Sequence, residues 1–232
     1  MAPVLMFVGS SIIDGAKTSD EKYNRVYNEE HLPAILAFDN ANFTKLALRY
    51  KNAYPDAKLP YLALYPVDDA EMLDPELMQR LIAEITTSQT FDGDDVNDHT
   101  QFGLTRYEKI QTYEAYQQEN RSGKDRAETI VCVAMEPKDD VEFDEWYRKQ
   151  HLDMMGMCKG YRRCTRYQRT DGQSPRFLAL HEYACKPEEL PGEQIKQVTQ
   201  TEWSKKTVGE SKVFERNVFH LIQAQGNTEL NL

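Results

Sequence analysis

Hydrophobic and polar positions follow the same order of strand and helix periods in both halves of the chain. Each half begins with a short apolar, β-rich run, PVLMFV in one and ETIVCVA in the other, followed by a helix-capping signal with acidic residues. Apolar and aromatic residues then recur at helical spacing, at positions 23, 26, 27, 31 and 34 and at positions 143, 146, 147, 151 and 154. This spacing predicts one amphipathic helix in each half.

The same pattern predicts the remaining elements of both halves. In the first half, strands are predicted at TKLALRYK and YLALYPV, a helix at DPELMQRLIAEITTS and a closing strand at TRYEKIQTY. In the second half the equivalent segments are RRCTRYQ, FLALHEYA, GEQIKQVTQTEW and NVFHLIQAQ. Each half therefore has the order strand, helix, strand, strand, helix, strand.

The two halves also align residue by residue. The segment from Tyr27 to His31 matches the segment from Tyr147 to His151 at an offset of 120, and YLALY matches FLALH at an offset of 116. Phe102 matches Phe214 at an offset of 112. The offset falls only in polar, turn-rich segments, as loop deletions between two copies of one fold would produce. We predict a first repeat at residues 1–112, a polar linker at 113–126 and a second repeat at 127–232.

A βαββαβ unit has the ferredoxin-like plan, with a four-stranded antiparallel sheet and both helices on one face. The other face must be covered as well, and an equivalent sheet from a second copy can cover it. The predicted fold class is α+β, with two ferredoxin-like repeats forming an intrachain pseudo-dimeric α+β barrel.

Charge and composition exclude several classes of function. The chain has 28 Lys and Arg against 38 Asp and Glu, a formal charge of −10, which argues against a nucleic-acid partner. No basic leader precedes the short apolar N-terminal run, and no apolar run is long enough to cross a membrane. The four cysteines match neither a disulfide framework nor a zinc motif, so reduced thiols are expected. We therefore expect a cytoplasmic protein without a membrane partner.

His31 and His151 are the first candidates for chemistry, because imidazole exchanges protons near neutral pH. Tyr27 and Tyr147 lie one turn earlier on the same helical faces and could hydrogen-bond an enolate or carbonyl oxygen. Each pair could move a proton on a phenolic or keto substrate without a cofactor. The alternative is that both histidines are buried structural residues bonded to a backbone carbonyl.

The second half has His181 where the first has Tyr65. Strand alternation does not decide whether His181 meets His151, because both faces of the sheet are expected to be covered. If they meet, the second half has a pocket with two histidines and a tyrosine. A metal site with Glu182 is disfavoured, since Glu182 lies on the opposite face of the strand.

Further candidates could bind the substrate. An arginine could clamp a carboxylate, although a surface salt bridge is its commoner fate. An aromatic residue at the end of the second helix is more often part of the core. These candidates are Arg49, Tyr50, Arg166, Tyr167, Tyr65 and Trp203. Phosphate loops, nucleophile elbows and Walker patterns are absent from the sequence, so no cofactor is expected.

The segment FDEWYRKQHLDMMGMCKGYRRCTRY resembles EthD-like members of the dimeric α+β barrel superfamily, and YNRVYNEEHLPAIL carries the first part of the same signature. The chain departs from that signature where a Pro-Gly turn is usual: it has FDNANF in the first half and Lys159-Gly160 in the second. Since such proteins are normally dimers of single copies, the resemblance implies a fused pseudo-dimer, either monomeric or a homodimer. It also implies a place in secondary metabolism, among polyketide-tailoring enzymes.

The resulting hypothesis is a cofactor-independent lyase, cyclase or isomerase acting on a small aromatic or polyketide-like substrate. In it His151 is the general acid or base with Tyr147 as its partner, and His31 with Tyr27 is an equivalent or degenerate pair. Two alternatives remain open. One is a cofactor-free or haem-dependent oxygenase, and the other is a non-catalytic ligand-binding or stress-response barrel.

Overall fold

A computed structural model of the chain describes residues 3–69, 71, 74–115 and 126–232. Its β-strands are β1 (Val4–Ile12), β2 (Leu46–Asn52), β3 (Tyr61–Val67), β4 (Thr100–Glu114), β5 (Thr129–Glu136), β6 (Tyr161–Arg169), β7 (Phe177–Tyr183) and β8 (Val213–Gly226). Its α-helices are α1 (Asp20–Arg25), α2 (Leu32–Ala41), α3 (Pro75–Ile85), α4 (Asp140–Trp146), α5 (Leu152–Gly156), α6 (Gly192–Thr199) and α7 (Glu202–Glu210). Two π-helical turns (Val26–His31 and Tyr147–His151) and two 3₁₀ turns (Val96–Asp98 and Pro187–Glu189) complete the regular structure of these residues.

The predicted order of elements is present in both halves. In each half a strand precedes a helical segment, two further strands, a second helical segment and a closing strand. The predicted caps are also present, because the Ser19 side chain accepts from the Lys22 amide and the Asp139 side chain accepts from the amides of Val141 and Glu142. Every strand pair whose register is resolved is antiparallel, which confirms the α+β class. That the halves are two superposable ferredoxin-like repeats remains a prediction.

The chain divides into two compact units. The first unit runs to Arg106 and resumes at Ile222, and the second unit is Tyr107–Leu221. Strands β4 and β8 each contribute residues to both units. The predicted repeat boundaries at 112 and 127 remain predictions, and residues 116–125 of the predicted linker lie outside the described part of the chain.

The first unit has the strand order β4-β1-β3-β2-β8. All seven residues of β3 are buried, so both faces of this strand are covered. The helices cover one face, and their packing side chains come from alternate strand positions. This core includes Val4, Met6, Ala63, Tyr65 and Val67 from the strands and Tyr23, Tyr27, Leu32, Ile35, Met78 and Leu81 from the helical segments. Each fully buried side chain of this size contributes about 1.5–3 kcal/mol to folding.

The second unit has the strand order β8-β5-β7-β6-β4. Strand β7 is buried along its whole length, as β3 is in the first unit. The pairing of β6 with β7 shifts register between Tyr161 and Arg163, which marks a β-bulge at the start of β6. Its helical cover differs from that of the first unit, because the second helical segment is split into α6 and α7.

The unusual turn FDNANF has a specific backbone form. Asp39, Asn40 and Ala41 all have positive φ angles, of 51°, 57° and 63°. Asn and Asp tolerate this left-handed region better than other residues with a Cβ, which is why the turn can form without the usual glycine. Gly226 also has a positive φ, and a Cβ there would overlap the Lys45 carbonyl oxygen.

The structure also describes the state of the cysteines and the apolar character of the helices. All four cysteines are free thiols, as expected. Within the described residues, no helix combines the length and apolar character needed to cross a membrane.

Candidate functional site

The Tyr–His pairs lie on π-helical turns, which the sequence did not predict. The Leu32 amide donates to the Tyr27 carbonyl and the Leu152 amide donates to the Tyr147 carbonyl, so both bonds span five residues. Single π turns inside α-helices occur frequently at functional sites. Here each turn sets a tyrosine against a histidine, with ring centroids 5.3 Å apart for the first-unit pair and 5.2 Å apart for the second-unit pair.

Pro33 does not end the helix, which continues as α2. It lies in the first turn of α2, where the missing amide hydrogen is tolerated. In a π-helical register, residue 33 would donate its amide hydrogen to the Asn28 carbonyl. Pro33 has no amide hydrogen, and the Gln225 side-chain amide donates to this carbonyl instead, at 2.7 Å. The backbone bond that Pro33 cannot make therefore falls at the change from π to α register.

A buried arginine supports each tyrosine. The Cζ atom of Arg49 lies 4.1 Å from the Tyr27 ring centroid, and the Cζ atom of Arg166 lies 4.1 Å from that of Tyr147. Arg49 and Arg166 are 1% and 2% exposed, so neither lies at the surface as expected, although Arg166 does form an ion pair, with Asp144. Cation–π contact of this kind is worth most when it is desolvated.

The hydrogen-bond partners of the two arginines differ. Arg49 Nη1 donates to Asn28 Oδ1 at 2.7 Å. Arg166 Nη1 donates to Gln111 Oε1 at 2.6 Å and to Asp144 Oδ1 at 2.8 Å, so Arg166 alone of the two has a carboxylate partner among the described residues. Neither arginine lines the cavity of its unit. Their part in substrate binding remains a prediction, and the geometry places them behind the tyrosines.

The first unit contains a cavity of about 190 Å³ between its sheet and its helices. Tyr27, His31 and Tyr65 line it, and nearly all its other walls are apolar side chains, most of them from β1, α3 and β4. An apolar cavity of about 150 Å³ can hold one benzene ring. This cavity therefore has room for a single-ring ligand.

The second unit contains a larger cavity, of about 490 Å³, in the corresponding place between sheet and helices. This volume lies within the usual range for small-molecule sites, roughly 300–1,000 Å³. The polar and aromatic side chains that line it are Trp146, Tyr147, His151, His181, Thr199, Gln200, Ser204, Lys205, Phe214 and Arg216.

His181 faces His151 in this cavity, which settles a point that strand alternation left open. Their ring centroids are 5.7 Å apart and the rings are nearly perpendicular. The Tyr147 ring stacks near His181 at 6.4 Å. Tyr161, which sequence reasoning missed, has its hydroxyl 2.9 Å from His181 Nδ1. Simple alternation along β6 would place Tyr161 on the face opposite His181, because it takes no account of the bulge that follows Tyr161.

Burial keeps the histidines neutral. Desolvation lowers the pKa of His31 to about 4 and the pKa of His181 to about 3, with Arg216 and Arg166 also acting on His181. Desolvation, followed by the nearby His181 and Arg166, holds the pKa of His151 well below its usual range. At neutral pH all three imidazoles can therefore accept a proton.

Burial has the opposite effect on the tyrosines. It raises the pKa of Tyr27, Tyr147 and Tyr161 above the usual value, so each remains a phenol that can donate a hydrogen bond. In both cavities a neutral base thus lies beside a neutral donor. Such a pair can take a proton from a ligand and stabilise the oxygen on which negative charge develops.

The other predicted residues lie outside the cavities. Tyr50 and Tyr167 are buried, one position along the strand from Arg49 and Arg166, and therefore point to the opposite face of the sheet. Trp203 is half-buried on α7.

Glu182 lies beside Arg163, with an oxygen–nitrogen distance of 3.8 Å. It is on the face of β7 opposite His181, as strand alternation predicts.

Comparison with known proteins shows the fold. No family model and no curated protein matches the sequence. Among solved structures, a proposed monooxygenase from Fusobacterium nucleatum has a TM-score of 0.58 at 10% identity, covering 99% of this chain and 96% of that one. An anthrone oxidase-like protein has a TM-score of 0.58 at 10% identity, covering 97% and 95%.

A chlorite dismutase from Candidatus Nitrospira defluvii has a TM-score of 0.59 at 9% identity, covering 96% of this chain and 92% of that one. Identities this low do not show the substrate or the residue roles of this chain. What they show is the fold: this chain has an α+β fold of the dimeric α+β barrel type.

Proposed function

We propose that this chain is a cofactor-independent enzyme that takes a proton from a small aromatic or polyketide-like substrate in the second-unit cavity. One observation carries the proposal. Two neutral histidines, His151 and His181, face each other in a cavity of about 490 Å³ that also holds the Tyr147 ring. A substrate lying in this cavity would contact a base and a hydrogen-bond donor together.

The two histidines have different roles in this proposal. This mechanism assigns the hydrogen bond between Tyr161 and His181 Nδ1 with the phenol as donor, which places the ring proton of His181 on Nε2, where it is available to an oxygen of the substrate. His151 Nδ1 is buried without a hydrogen-bond partner among the described residues. Since this buried atom cannot reach a ligand, we assign the role of general base to the other ring nitrogen of His151, Nε2, and Tyr161 is a positioning residue that acts through His181.

The low pKa of His151 is compatible with this role. Its basicity is weak in the empty cavity because burial and the neighbouring Arg166 disfavour the imidazolium. When the substrate becomes an enolate or phenolate, the adjacent negative charge stabilises the imidazolium and raises the pKa of the ring. The base thus becomes stronger as the proton moves.

The fate of the substrate anion separates a lyase, cyclase or isomerase from an oxygenase. In the first group the anion loses a leaving group, closes a ring or is reprotonated elsewhere. In a cofactor-free oxygenase it reacts with O₂, so that a methylene carbon becomes a carbonyl, one oxygen atom is retained and the other leaves as water. The names of two similar structures, the proposed monooxygenase and the anthrone oxidase-like protein, favour the oxygenase at least as much as the lyase.

The residues of the second cavity do not fit a haem-dependent oxygenase. A histidine that ligates a metal almost always donates its other ring N–H to a carboxylate, a backbone carbonyl or water. His151 Nδ1 has no such partner among the described residues, and His181 Nδ1 is bonded to a phenol. No step through haem is therefore proposed.

Anthrone, a tricyclic ketone with an acidic methylene group, is a suitable probe. In D₂O without oxygen, the protein should accelerate deuterium exchange at this methylene above the buffer rate, and His151→Ala should remove most of the acceleration. In air, oxygen uptake matched by formation of the quinone would establish the oxygenase. Conversion of other phenolic ketones without oxygen uptake would establish the lyase group. Saturable binding with neither exchange nor turnover, unchanged in His151→Ala, would favour a non-catalytic binding protein and refute the proposal.

We also propose a family, a location and an oligomeric state for this chain. The order of the Tyr-His turn, Gly160 and the Arg166-Tyr167 strand supports an EthD-like protein made of two fused copies. A cytoplasmic location, a role in secondary metabolism and a monomeric or homodimeric state are proposed with it. Sedimentation of the purified chain would decide between monomer and homodimer.

A further inference from the structure

Arg216 is a cation at the second-unit cavity for which the described residues supply no carboxylate partner. It lines the cavity from β8, two residues after Phe214, which lines the same wall. Among the described residues no carboxylate lies within ion-pair distance of its guanidinium group. It is also exposed to solvent. Its side chain therefore reaches water and the cavity together.

The charges around the cavity are unbalanced. Arg216 and Lys205 are among its described lining residues, whereas no aspartate or glutamate is. Lys205 already has a partner, Glu202, at 3.1 Å. Among the described lining residues, Arg216 is thus the one cation without a carboxylate partner, in a chain whose net charge is −10. A local cation that opposes the net charge of its protein is a feature expected of an anion site.

The first unit supplies an internal comparison. At the repeat offset of 112, the counterpart of Arg216 is Leu104, which lines the smaller cavity. The counterpart of His181 is Tyr65. The cation and the second histidine therefore occur in the same cavity, and the first unit shows that the fold does not need either of them.

We propose that Arg216 binds a carboxylate of the substrate, so that the second-unit cavity takes aromatic or polyketide-like acids rather than neutral compounds. A guanidinium group binds a carboxylate with two parallel hydrogen bonds, which fixes the orientation of the ligand as well as its position. The rest of the molecule then extends across the sheet toward His181, which pairs with Val131, two positions along β5 from the residue opposite Arg216, Val133.

The arrangement also connects binding to the chemistry. Arg216 is one of the groups that lower the pKa of His181. A bound carboxylate offsets that positive charge, so the pKa of His181 rises when an acid occupies the site. This effect gives the inference a readout that does not depend on turnover.

The inference rests on the proposed function only in taking this cavity as the substrate site, and a binding experiment tests it separately. The probes are 2-naphthoate and the neutral 2-naphthalenemethanol, which have similar shapes, with affinities measured by calorimetry at low salt. The wild-type protein should bind the acid about tenfold or more tightly than the alcohol. Arg216→Leu, which installs the first-unit residue, should remove that preference and leave the affinity for the alcohol unchanged.

Two further variants serve as controls. Arg216→Lys keeps the charge but not the planar fork, so part of the preference should remain. Arg80→Leu makes the same charge change outside the cavity lining and should leave the full preference. At neutral pH, the NMR signals of the His181 ring should shift more on naphthoate binding in the wild type than in Arg216→Leu.

The anion site is refuted if naphthoate does not bind or if the preference for naphthoate over the alcohol survives Arg216→Leu. It is also refuted if Arg80→Leu lowers that preference as much as Arg216→Leu does. His151→Ala keeps its preference for naphthoate whether or not it has lost turnover. A preference for naphthoate without any catalysis would therefore refute the proposed function and leave the anion site standing. If His151→Ala loses turnover but the wild-type protein shows no preference for naphthoate, the anion site is refuted and the proposed function stands.

Discussion

The neutral state of the buried histidines predicts a loss of folding stability between pH 7 and pH 5. In an unfolded chain a histidine has a pKa of about 6.5. In the folded protein the pKa of His31 is lowered to about 4, that of His181 to about 3 and that of His151 well below its usual range. Below pH 6.5 the unfolded chain therefore binds protons that the folded protein cannot bind, and acidification favours unfolding.

The magnitude follows from the proton-binding equilibrium of the unfolded chain. Between pH 7 and pH 5, protonation stabilises each unfolded imidazole by about 2 kcal/mol, while the folded one gains almost nothing. The three histidines together should lower the free energy of unfolding by about 6 kcal/mol. That is a large part of the total stability of a typical protein, roughly 5–15 kcal/mol.

Other groups contribute less in this pH range. The pKa values of the ion-paired carboxyls of Glu136 and Asp144 are lowered, so these groups lose their charge mainly below pH 5. Glu182 acts in the opposite sense, because burial raises its pKa and acidification relieves the cost of its charge. The loss between pH 7 and pH 5 is therefore mainly a measure of the histidines.

Urea unfolding at pH 7 and pH 5 measures this loss directly. Single substitutions test each histidine, with His31→Gln, His151→Gln and His181→Tyr, the last of which installs the residue found in the first unit. Each variant should reduce the pH-dependent loss by about 2 kcal/mol, whatever its stability at pH 7. If the loss is unchanged in His151→Gln and His181→Tyr, these residues are not the neutral base and donor that the proposed mechanism requires.

The remaining predictions concern the choice of unit and the buried ion pair. His151→Ala should lower steady-state turnover by about 100-fold or more, as loss of a general base commonly does, and His31→Ala should lower it less; the reverse order would place the working site in the first unit. Asp144→Asn should lower the free energy of unfolding by about 1–3 kcal/mol, since it leaves the buried Arg166 without a carboxylate, whereas Glu145→Gln, in an exposed pair on the same helix, should cost under about 1 kcal/mol. Equal urea midpoints for these two variants would contradict the importance of the buried pair.

Much of the fold could be predicted from local patterns. The helical spacing of Tyr27 and His31 and of Tyr147 and His151 placed each pair on one buried face, where the structure has it. The order of strands and helices followed from periodicity and turn residues, because both are properties of short segments. The position of His181 as the counterpart of Tyr65 followed from the repeat alone.

The features that could not be predicted depend on backbone register and tertiary packing. The π turns change which carbonyl each amide reaches, and side-chain periodicity over so few residues does not distinguish 3.6 from 4.4 residues per turn. The bulge in β6 moves Tyr161 to the face of His181, and one extra residue in a strand leaves no distinct sequence signal. Arg49 and Arg166 were expected at the surface on general grounds. They are buried because the tyrosine rings of the π turns cover them.

The differences between the two cavities explain why the chemistry is assigned to the second unit. In the first unit one continuous helix, α3, places Met78 and Leu81 over the sheet and leaves about 190 Å³. In the second unit the equivalent cover is broken between α6 and α7, and small residues such as Ser204 and Gly209 leave about 490 Å³.

A larger cavity alone would only weaken packing, since lost apolar contacts destabilise a core. The second cavity instead gains His181, which is buried and costly to desolvate, and Arg216, a solvent-exposed cation at the cavity lining, where the first unit has Tyr65 and Leu104. Since the first unit folds without either group, both are best explained by a ligand that they bind, and the second-unit cavity is where they occur together.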